Sequence, residues 1–418
     1  MIIPSIDLQG GNAVQLIGGE QKAIDAGTPD PLASRFGVTG EIAVIDLDAA
    51  MNVGSNREVI RRLLRIARCR VGGGIRDAKS AVESLDDGAQ KIILGTRAVP
   101  EILRELPKER VIAALDAKHG EVVVDGWKTN TGRSILERMQ ELRDYVGGFL
   151  VTFVEREGRL GGTNLDQVQA LVEAAGSARV TIAGGVTTAE DIRALDQMGA
   201  DAQVGMALYS GRLHLGDAFA APLSTDRPDG LWPTVVCDEH GVALGLAYSN
   251  LESLRTAIEE RRGAYHSRTR GLWRKGASSG AVQELLAADL DCDRDTIRFT
   301  VRQQEPGFCH TNTWTCWGAI GGAPALSRVL SSRRDSAPEG SYTARLFADA
   351  PLLGKKLREE AAELAEAVDK EHVRWEAADV LYFTLAKLAA HDIPFAEVEQ
   401  ELNRRMLKVT RRPGDAKE

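Results

Sequence analysis

Residues 1–221 contain two similar halves, and the second half repeats the first after about 110 residues. The segment IPSIDLQGGNAVQL at 3–16 corresponds to IAALDAKHGEVVVD at 112–125, and this correspondence aligns Asp7 with Asp116. A fixed internal period is the signature of a duplicated architecture. The repeat therefore predicts two carboxylates at equivalent positions of a fold built from two related halves.

Short apolar strands alternate with helical patterns throughout these two halves. We predict eight strands, at 2–6, 42–46, 70–71, 91–94, 111–115, 149–152, 180–183 and 202–204. Eight strand–helix units in about 220 residues are typical of a (β/α)8 TIM barrel. Asp7 and Asp116 would then follow the first and fifth strands, at the end of the barrel where active sites form.

Glycine-rich segments repeat with the same offset. GGGI at 72–75 corresponds to AGGV at 183–186, and ILGTRAV corresponds to QVGMALY later in each half. A glycine-rich loop after a barrel strand brings backbone N–H groups to a phosphate. The predicted phosphate-binding residues are Gly73, Gly74, Arg76, Gly95, Thr96, Gly184, Gly185 and Gly205. Two such loops suit a substrate with a phosphate at each end, although glycines that merely turn the chain would leave the same pattern.

The two aspartates are expected to face one another across the barrel mouth. Two carboxylates can divide acid and base work when their environments separate their pKa values. The alternative is that Asp7 and Asp116 are buried residues that cap loops.

Composition restricts the class of protein and its partners. Hydrophobic residues make up 43% of the 418 residues and charged residues 27%, which is ordinary for a soluble protein. The net charge of −8 argues against nucleic acid as a main partner. We find no apolar run of membrane-spanning length and no signal peptide, so no membrane association is expected. We expect a cytoplasmic enzyme, or an organelle form without its targeting segment.

The chain is long enough for two to four domains. The segment 221–230 has the prolines, aspartates and glycine of a linker, and 318–341 is small, polar and loop-like. Alternating strands and clustered cysteines lie between them, and a helical pattern follows. The predicted domains are a barrel at 1–221, a small α+β zinc domain at 222–320 and an all-α domain at 341–418.

The barrel motifs closely resemble a known family. IPSIDLQGGNAVQL, VGGGIR, ALDAKHGEVVVDGW and TFVEREGRLGGTN are similar to the histidine-biosynthesis barrel isomerase, which converts the aminoaldose ProFAR into the aminoketose PRFAR by an Amadori rearrangement. ALYSGRL and Trp127 of DGW favour this isomerase over its sister, the cyclase subunit of imidazole glycerol phosphate synthase. The resemblance implies that Asp7 is the general base at C2′, that Asp116 is the general acid that opens the ribose ring, and that Thr152 assists the substrate.

The chain departs from this family in the loop after the sixth strand. Phe153 and Val154 follow Thr152 where the family usually has TD-I, and REG at 156–158 replaces RDG. The three residues with catalytic roles are intact, so the departure concerns the loop beside them.

The segment DLDCDRDT at 289–296 alternates acids with a cysteine. On an extended segment, side chains at i, i+2 and i+4 share one face, so Asp291, Asp293 and Asp295 would form a set of hard oxygen ligands for Mg²⁺. Soft zinc ligands are available at Cys292, Cys309 and Cys316, with His310 beside one of them. Three protein ligands leave a position for water, as in catalytic zinc sites. The alternative is a surface acidic turn with buried free thiols.

This region resembles a second family. RPDGLWPTVVCDEHGVALGLAYSN, AYHSRTRGLWRKGASSG, DLDCDRDT and GFCHTNTWTC, across 226–317, are similar to phosphoribosyl-AMP cyclohydrolase, which hydrolyses the N1–C6 bond of an alkylated adenine ring. The resemblance implies zinc on the three cysteines, one of them contributed across a dimer interface, and Mg²⁺ on the three aspartates. It also implies a substrate-binding stretch that contains Arg268, Arg270, Trp273, Lys275 and Ser279.

The helical tail contains two acidic pairs at i, i+3 spacing. Glu360 and Glu363 form one pair, and Glu376 and Asp379 form the other, so two facing helices would make a carboxylate cage for Mg²⁺. The alternative is a solvated charged face. GSYTARLF, LLGKKLREEAAELAEA and WEAADVLYFTLAKL resemble phosphoribosyl-ATP pyrophosphatase, an all-α enzyme of the MazG-like class. In that family the carboxylates bind Mg²⁺ on the triphosphate, and PPi is released.

The three resemblances are to the second, third and fourth steps of histidine biosynthesis. They imply one multifunctional enzyme that acts on small, ATP-derived phosphoribosyl substrates and forms a homodimer through its cyclohydrolase and pyrophosphatase domains. The alternatives are a bifunctional enzyme with an inactive phosphate-binding barrel, or a barrel that is a scaffold only. An isomerase assay would discriminate them.

Overall fold

A computed structural model describes residues 1–19, 21–124, 129–338, 340–411 and 414 of the chain. Trp127 lies outside the described residues. The chain forms two compact units, and neither is continuous in sequence. The first contains Met1–Asp238, Leu246–Glu305 and Leu407–Glu418, and the second contains Glu239–Gly245 and Pro306–Met406.

Eight parallel strands close into a barrel in the first unit. They are Ile2–Gln9, Ile42–Asp46, Cys69–Gly72, Lys91–Leu94, Val111–Lys118, Gly148–Phe153, Arg179–Ala183 and Ala200–Val204. The first strand pairs with the eighth as well as the second, so no edge remains. Ile93, Ile112, Leu150 and Ala183, from four adjacent strands, pack together in a buried cluster. The predicted (β/α)8 barrel is therefore confirmed.

The internal repeat is also visible in two antiparallel extensions of the barrel. Strand Asn12–Ile17 pairs with the first barrel strand and with Gln21–Gly27, and strand Glu121–Val124 pairs with the fifth barrel strand and with Thr129–Ser134. The pairing places Asp7 opposite Val14 and Asp116 opposite Val123. The two aspartates thus occupy equivalent positions in the two halves. The sequence analysis did not predict these extensions.

Helices connect the barrel strands. They are Asp30–Phe36, Leu47–Met51, Arg57–Ile66, Ala78–Asp86, Pro100–Leu103, Ile135–Leu142, Val168–Ala175, Ala189–Gln197, Met206–Tyr209 and Leu215–Ala220. Two of them begin with a reciprocal capping box, Ala78–Asp86 after Asp77 and Ala189–Gln197 after Thr188. Both follow a glycine pair, so each loop ends at a well-defined helix start.

A mixed sheet follows the predicted linker at 221–230, which forms no helix or strand. Its strands, in spatial order, are Ala243–Ser249, Trp232–Asp238, Ile297–Gln303 and Gln283–Leu290. Helix Leu251–Glu260 begins with a capping box at Asn250. Strands Ala264–Ser267 and Gly271–Arg274 form a separate hairpin.

The second unit is mainly helical. Its helices are Gly322–Ser336, Tyr342–Ala348, Ala350–Glu366, Lys370–Ala390 and Phe395–Met406. Their core contains Leu330, Leu346, Leu353, Phe383, Leu385, Ala386 and Ala389. None of the helices in the described part of the chain combines the length and the apolar composition needed to span a bilayer.

The prediction of a loop-like linker at 318–341 was wrong for most of its length. Helix Gly322–Ser336 occupies this segment, and its Leu330 is fully buried in the helical core. Ala323 and Leu326 pack against the same core. The three apolar residues recur at helical spacing, but many small and polar residues between them conceal the pattern.

Candidate active sites

The barrel strands bring the predicted catalytic residues to one end of the barrel. Asp7 lies near the end of the first strand, Asp116 near the end of the fifth, and Thr152 near the end of the sixth. Thr152 is in register with Asp116 on the neighbouring strand. All three side chains are partly exposed, so a ligand at the barrel mouth could reach them.

A third carboxylate completes this group. Glu157 lies just after the sixth strand, and desolvation together with the negative charges of Asp7 and Asp116 raises its pKa to about 7. Desolvation also raises the pKa of Asp7 to about 7. Carboxyl groups with such pKa values exchange protons near neutral pH, as general acids and bases must. In the sequence, Glu157 is only part of the departure from a family motif at 156–158, and no role is predicted for it.

A pocket beside these carboxylates brings together the residues of the second predicted phosphate site. Its lining includes Gly184, Gly185, Gly205, Ala207 and Glu157. Gly184 and Gly185 have φ values of 87° and 84°. A Cβ atom on Gly185 would lie 2.3 Å from the carbonyl oxygen of Gly162, and one on Gly205 would lie 2.4 Å from Oε1 of Gln15. Close backbone packing therefore requires glycine at Gly185, whereas Gly205 packs against the side chain of Gln15.

The first glycine loop has the same construction. A Cβ atom on Gly73 would lie 2.2 Å from the carbonyl oxygen of Asp46, at the end of the second strand, and the equivalent atom on Gly184 would lie 2.6 Å from that of Phe153, at the end of the sixth. Gly95 and Thr96 are exposed on the loop after the fourth strand. The two halves of the barrel thus repeat the tight loop that the sequence predicted.

Arg76 and Gly74 also belong to this first loop. The Arg76 guanidinium donates to the carbonyl oxygens of Ala49 and Ala50, at 3.1 and 3.4 Å. A Cβ atom on Gly74 would lie 2.5 Å from that of Ala49. The loop therefore packs directly on the short helix Leu47–Met51, and the hydrogen bonds of Arg76 stabilise this contact.

We call the part of the first unit that is built around the mixed sheet the mixed domain. Its acidic segment at 291–295 forms a compact loop. Carboxylate oxygens of Asp291, Asp293 and Asp295 lie within 4.8 Å of one another. The expectation of an extended segment was wrong, because Arg294 has a left-handed φ of 66° and the loop turns back on itself. Oδ1 of Asp291 accepts from the backbone N–H groups of Asp295 and Thr296, at 3.0 and 3.1 Å. Three hard oxygen donors at this separation fit a divalent cation such as Mg²⁺.

Two of the three predicted zinc cysteines are neighbours in the second unit. Cys309 accepts a hydrogen bond from Oγ1 of Thr311 at 3.1 Å, and this bond, with a smaller contribution from Cys316, lowers the pKa of Cys309 to about 6. A sulfur that favours the thiolate form is the donor zinc requires. Nδ1 of His310 lies 3.8 Å from Sγ of Cys309. Cys292 is exposed in the first unit, with its sulfur 4.0 Å from Asp293.

The predicted substrate-binding stretch lies on and after the hairpin Ala264–Arg274. Arg268 and Arg270 are in its turn, and the Arg270 guanidinium lies 4.8 Å from the centre of the Trp273 ring. Nζ of Lys275 lies 5.9 Å from the same ring. Oγ of Ser279 accepts from the backbone N–H of Ala281 at 3.4 Å. Cations around an aromatic ring can bind a phosphate and stack against a base.

The helical unit contains a second carboxylate group. Carboxylate oxygens of Glu360, Glu363 and Glu376 lie within 4.8 Å of one another, on helices Ala350–Glu366 and Lys370–Ala390. Asp379 is half-buried one turn further along and is not a member of this group of three. Glu360 is buried and pairs with Nζ of Lys356 at 2.7 Å.

Two features of this group fit a cation. Oε2 of Glu376 is buried and has no hydrogen-bond partner among the described residues. Desolvation and the charges of Glu360 and Glu376 raise the pKa of Glu363. Buried carboxylates that repel one another and lack partners are stabilised by a divalent cation.

The chain matches three protein-family models in sequence order. Residues 1–214 match the family described as "Histidine biosynthesis protein", 245–318 match "Phosphoribosyl-AMP cyclohydrolase", and 323–406 match "Phosphoribosyl-ATP pyrophosphohydrolase". The first match spans more than half of the chain, so the chain belongs to the histidine biosynthesis protein family.

Three relatives illustrate the similarity. An imidazole-4-carboxamide isomerase of Methanocaldococcus jannaschii is 36% identical over 232 residues, which cover 52% of this chain and 98% of the relative. A histidine biosynthesis trifunctional protein of Neurospora crassa is 36% identical over 353 residues, covering 81% of this chain and 38% of the relative. One from Komagataella pastoris is 50% identical over 203 residues, covering 49% of this chain. The chain spans only 24% of that last relative.

Proposed function

We propose that the chain is a multifunctional enzyme of histidine biosynthesis with three activities: phosphoribosyl-ATP pyrophosphohydrolysis, phosphoribosyl-AMP cyclohydrolysis and isomerisation of ProFAR to PRFAR. The observation that carries the proposal is that one chain contains three matched regions in sequence order, each with a group of neighbouring acidic side chains. The product of each proposed hydrolytic step is the substrate of the next step.

In the barrel, Asp7 and Asp116 act on opposite sides of the bound sugar. Asp116 delivers a proton to the ring oxygen as the bond from that oxygen to C1′ breaks. Asp7 is partly ionised at neutral pH, since its pKa is about 7, and it removes the proton from C2′. Desolvation and the negative charges of Asp7 and Asp116 raise the pKa of Glu157 to about 7, so Glu157 can also hold a proton near neutral pH. Thr152 orients the substrate beside Asp116.

The two glycine-rich loops hold the two ends of the substrate. Backbone N–H groups around Gly184 and Gly185 bind one phosphate, and those around Gly73 and Gly74 bind the other. Binding both ends fixes the sugar between the carboxylates, and holding reactants in place is itself a large part of catalysis. The repeated packing of Gly73 and Gly184 against strand ends supports this assignment.

We infer from the resemblance to phosphoribosyl-AMP cyclohydrolase that Cys292, Cys309 and Cys316 would hold zinc, one of them contributed across a dimer interface, and that Asp291, Asp293 and Asp295 would hold Mg²⁺. Zinc, when bound, supplies Lewis-acid activation of water for opening the adenine ring. The low pKa of Cys309 keeps its sulfur ionised for this purpose. Arg268, Arg270 and Lys275 bind the phosphoribosyl group and stack with Trp273 against the base.

In the helical unit, Glu360, Glu363 and Glu376 would hold Mg²⁺, and Asp379, one turn further along the second helix, would extend the set as the resemblance implies. Mg²⁺, when bound, neutralises the triphosphate for release of PPi. Lys356 pairs with Glu360 and Glu359, at 2.7 and 2.8 Å, and thereby fixes one side of the acidic group.

We also propose a homodimer in a reducing compartment such as the cytoplasm. Several apolar side chains of the helical unit are exposed, among them Val368 at 94% and Trp375 and Met406 at 68% each. Large exposed apolar side chains on neighbouring helices are typical of a subunit interface. The thiolate zinc ligands proposed at Cys292, Cys309 and Cys316 require reduced cysteines, which a reducing compartment maintains.

One experiment tests the whole proposal. Purified chain is given phosphoribosyl-ATP, Mg²⁺ and Zn²⁺, and the products are identified by mass spectrometry over time. We expect PPi and phosphoribosyl-AMP together, then ProFAR and finally PRFAR. Accumulation of ProFAR without PRFAR would show an inactive barrel, and failure to consume phosphoribosyl-ATP would contradict the assignment of the helical unit. The Asp116→Asn variant is the matched control and should stop at ProFAR.

A further inference from the structure

Arg294 connects the acidic loop of the mixed domain to the barrel. It lies between Asp293 and Asp295 in sequence, but its guanidinium contacts Asp196 on barrel helix Ala189–Gln197. The Nε and NH2 atoms lie 3.4 and 3.2 Å from the two carboxylate oxygens. The two side chains are only 20% and 14% exposed, so this contact is better shielded from water than an ordinary surface ion pair.

The backbone of Arg294 is held as well. Its carbonyl oxygen accepts from the N–H of Ser224 at 2.8 Å, and its guanidinium donates to the carbonyl oxygen of Asp291 at 2.9 Å. Arg294 therefore joins three segments: its own loop, the segment after the barrel and a barrel helix. A residue fixed at this many points determines the course of a short loop.

The acidic loop needs such support. The left-handed conformation of Arg294, with a φ of 66°, is unfavourable for a residue with a side chain. Asp291, Asp293 and Asp295 repel one another at their close separation, because like charges disfavour a shared site. Without an external contact, both effects favour a more open loop whose carboxylates lie further apart.

We propose that Asp196 and Arg294 are a positioning pair through which the barrel holds the acidic loop in the arrangement that binds a divalent cation. The functional part of this inference rests on the proposed cyclohydrolase activity. Neither residue belongs to the predicted substrate-binding or metal-binding set. The barrel thus contributes to a second active site of the same chain, beyond the isomerisation at its own mouth.

The first measurement is hydrogen exchange of the Asp295 and Thr296 amides, which donate to Asp291. Asp196→Asn and Arg294→Ala should each speed this exchange about threefold to tenfold, the range expected for loss of a partly buried charge pair. Arg294→Lys keeps the charge and should restore part of the protection. Arg298→Ala is the control, because Arg298 pairs with Asp289 on the exposed surface at 2.9 Å. Exchange of the Asp295 and Thr296 amides in Arg298→Ala should match that in the unaltered chain.

The second measurement is Mn²⁺ binding, followed by electron paramagnetic resonance in chains that also carry Glu363→Gln to weaken the helical acidic group. The dissociation constant for Mn²⁺ should rise about threefold to tenfold in Asp196→Asn and Arg294→Ala, and the double variant should be no weaker than either single variant, since the two residues act as one pair. Arg298→Ala should bind as before.

Unchanged exchange and unchanged Mn²⁺ affinity in both single variants would overturn the inference. Additive losses in the double variant would overturn it too, because independent effects are not those of a pair. If either variant fails to fold, as judged by circular dichroism, the other supplies the same test. Neither measurement uses substrate. An unaltered chain without cyclohydrolase activity would refute the proposed function, whereas the inference about Asp196 and Arg294 is tested by hydrogen exchange and Mn²⁺ binding alone.

Discussion

Replacing Asp7 with Asn is expected to stabilise the barrel at alkaline pH. Desolvation raises the pKa of Asp7 from 3.8 to about 7, so between these pH values the folded chain binds more protons at this group than the unfolded chain does. The contribution of Asp7 to the free energy of unfolding therefore falls as pH rises through this window. Since one pKa unit corresponds to about 1.4 kcal/mol, ionised Asp7 costs the folded barrel about 4 kcal/mol above pH 7.

Asparagine has nearly the same shape and no charge, but its amide also loses hydration at this position. We therefore expect a net gain of about 2 kcal/mol at pH 8. The gain should be smaller at pH 5 by about 2–3 kcal/mol, because folded Asp7 is then mostly protonated. Isomerase turnover should fall on the order of 10²–10⁴, the usual cost of removing a general base.

Urea unfolding at pH 5 and pH 8 measures this effect, with the barrel followed by hydrogen exchange of peptides from its strands. Asp201→Asn is the matched control. Desolvation is the largest single effect on Asp201, but the hydrogen bonds and positive charges of Arg179 and the N-terminal ammonium group together outweigh it and lower the pKa of Asp201 to about 2. Replacing Asp201 should therefore destabilise the barrel at neutral pH. If Asp7→Asn lowers stability at pH 8, or changes it equally at both pH values, the desolvation argument is wrong.

Three further predictions concern the individual sites. Gly185→Ala should raise the KM of the isomerase at least about tenfold, because the new Cβ would lie 2.3 Å from the carbonyl oxygen of Gly162. Gly211→Ala is the control and should change KM much less, because Gly211 has a similar positive φ but open space around it. Cys309→Ser should lower the zinc content measured by mass spectrometry and abolish ring opening, while Cys237→Ser, at a buried thiol outside the predicted set, should retain the metal. Glu360→Gln should abolish PPi release and leave ring opening of supplied phosphoribosyl-AMP intact, and loss of both steps in a folded chain would contradict separate sites.

The barrel and the equivalent positions of Asp7 and Asp116 could be predicted because their signals are local and repeated. Each strand–helix unit has its own apolar pattern, and the internal repeat marks Asp7 and Asp116 as equivalent. The role of Glu157 could not be predicted in this way. The pKa of Glu157 is raised mainly by desolvation and further by the charges of Asp7 and Asp116, and these residues, far apart in sequence, come together only in the closed barrel.

Two errors show where local patterns mislead. The alternating acids at 291–295 suggested an extended segment, but a single left-handed residue, Arg294, changes the course of the loop. The segment 322–336 looked like a linker because small and polar residues dominate it, yet Leu330 and its neighbours belong to a core formed by helices far apart in sequence. In both places, tertiary contacts decide the local conformation.

The discontinuity of the two units has a consequence for dividing the gene. The last described residues return to the first unit, where Asp86 accepts from the backbone N–H groups of Val409 and Thr410, at 2.7 and 3.1 Å, and Arg110 donates to the carbonyl oxygen of Leu407. No single cut in the polypeptide therefore separates one unit from the other. If the gene is split after residue 305, the first fragment lacks Leu407–Glu418 of its own unit, and the second fragment lacks Glu239–Gly245. We therefore expect the two fragments to be recovered in better yield when they are co-expressed than when each is expressed alone.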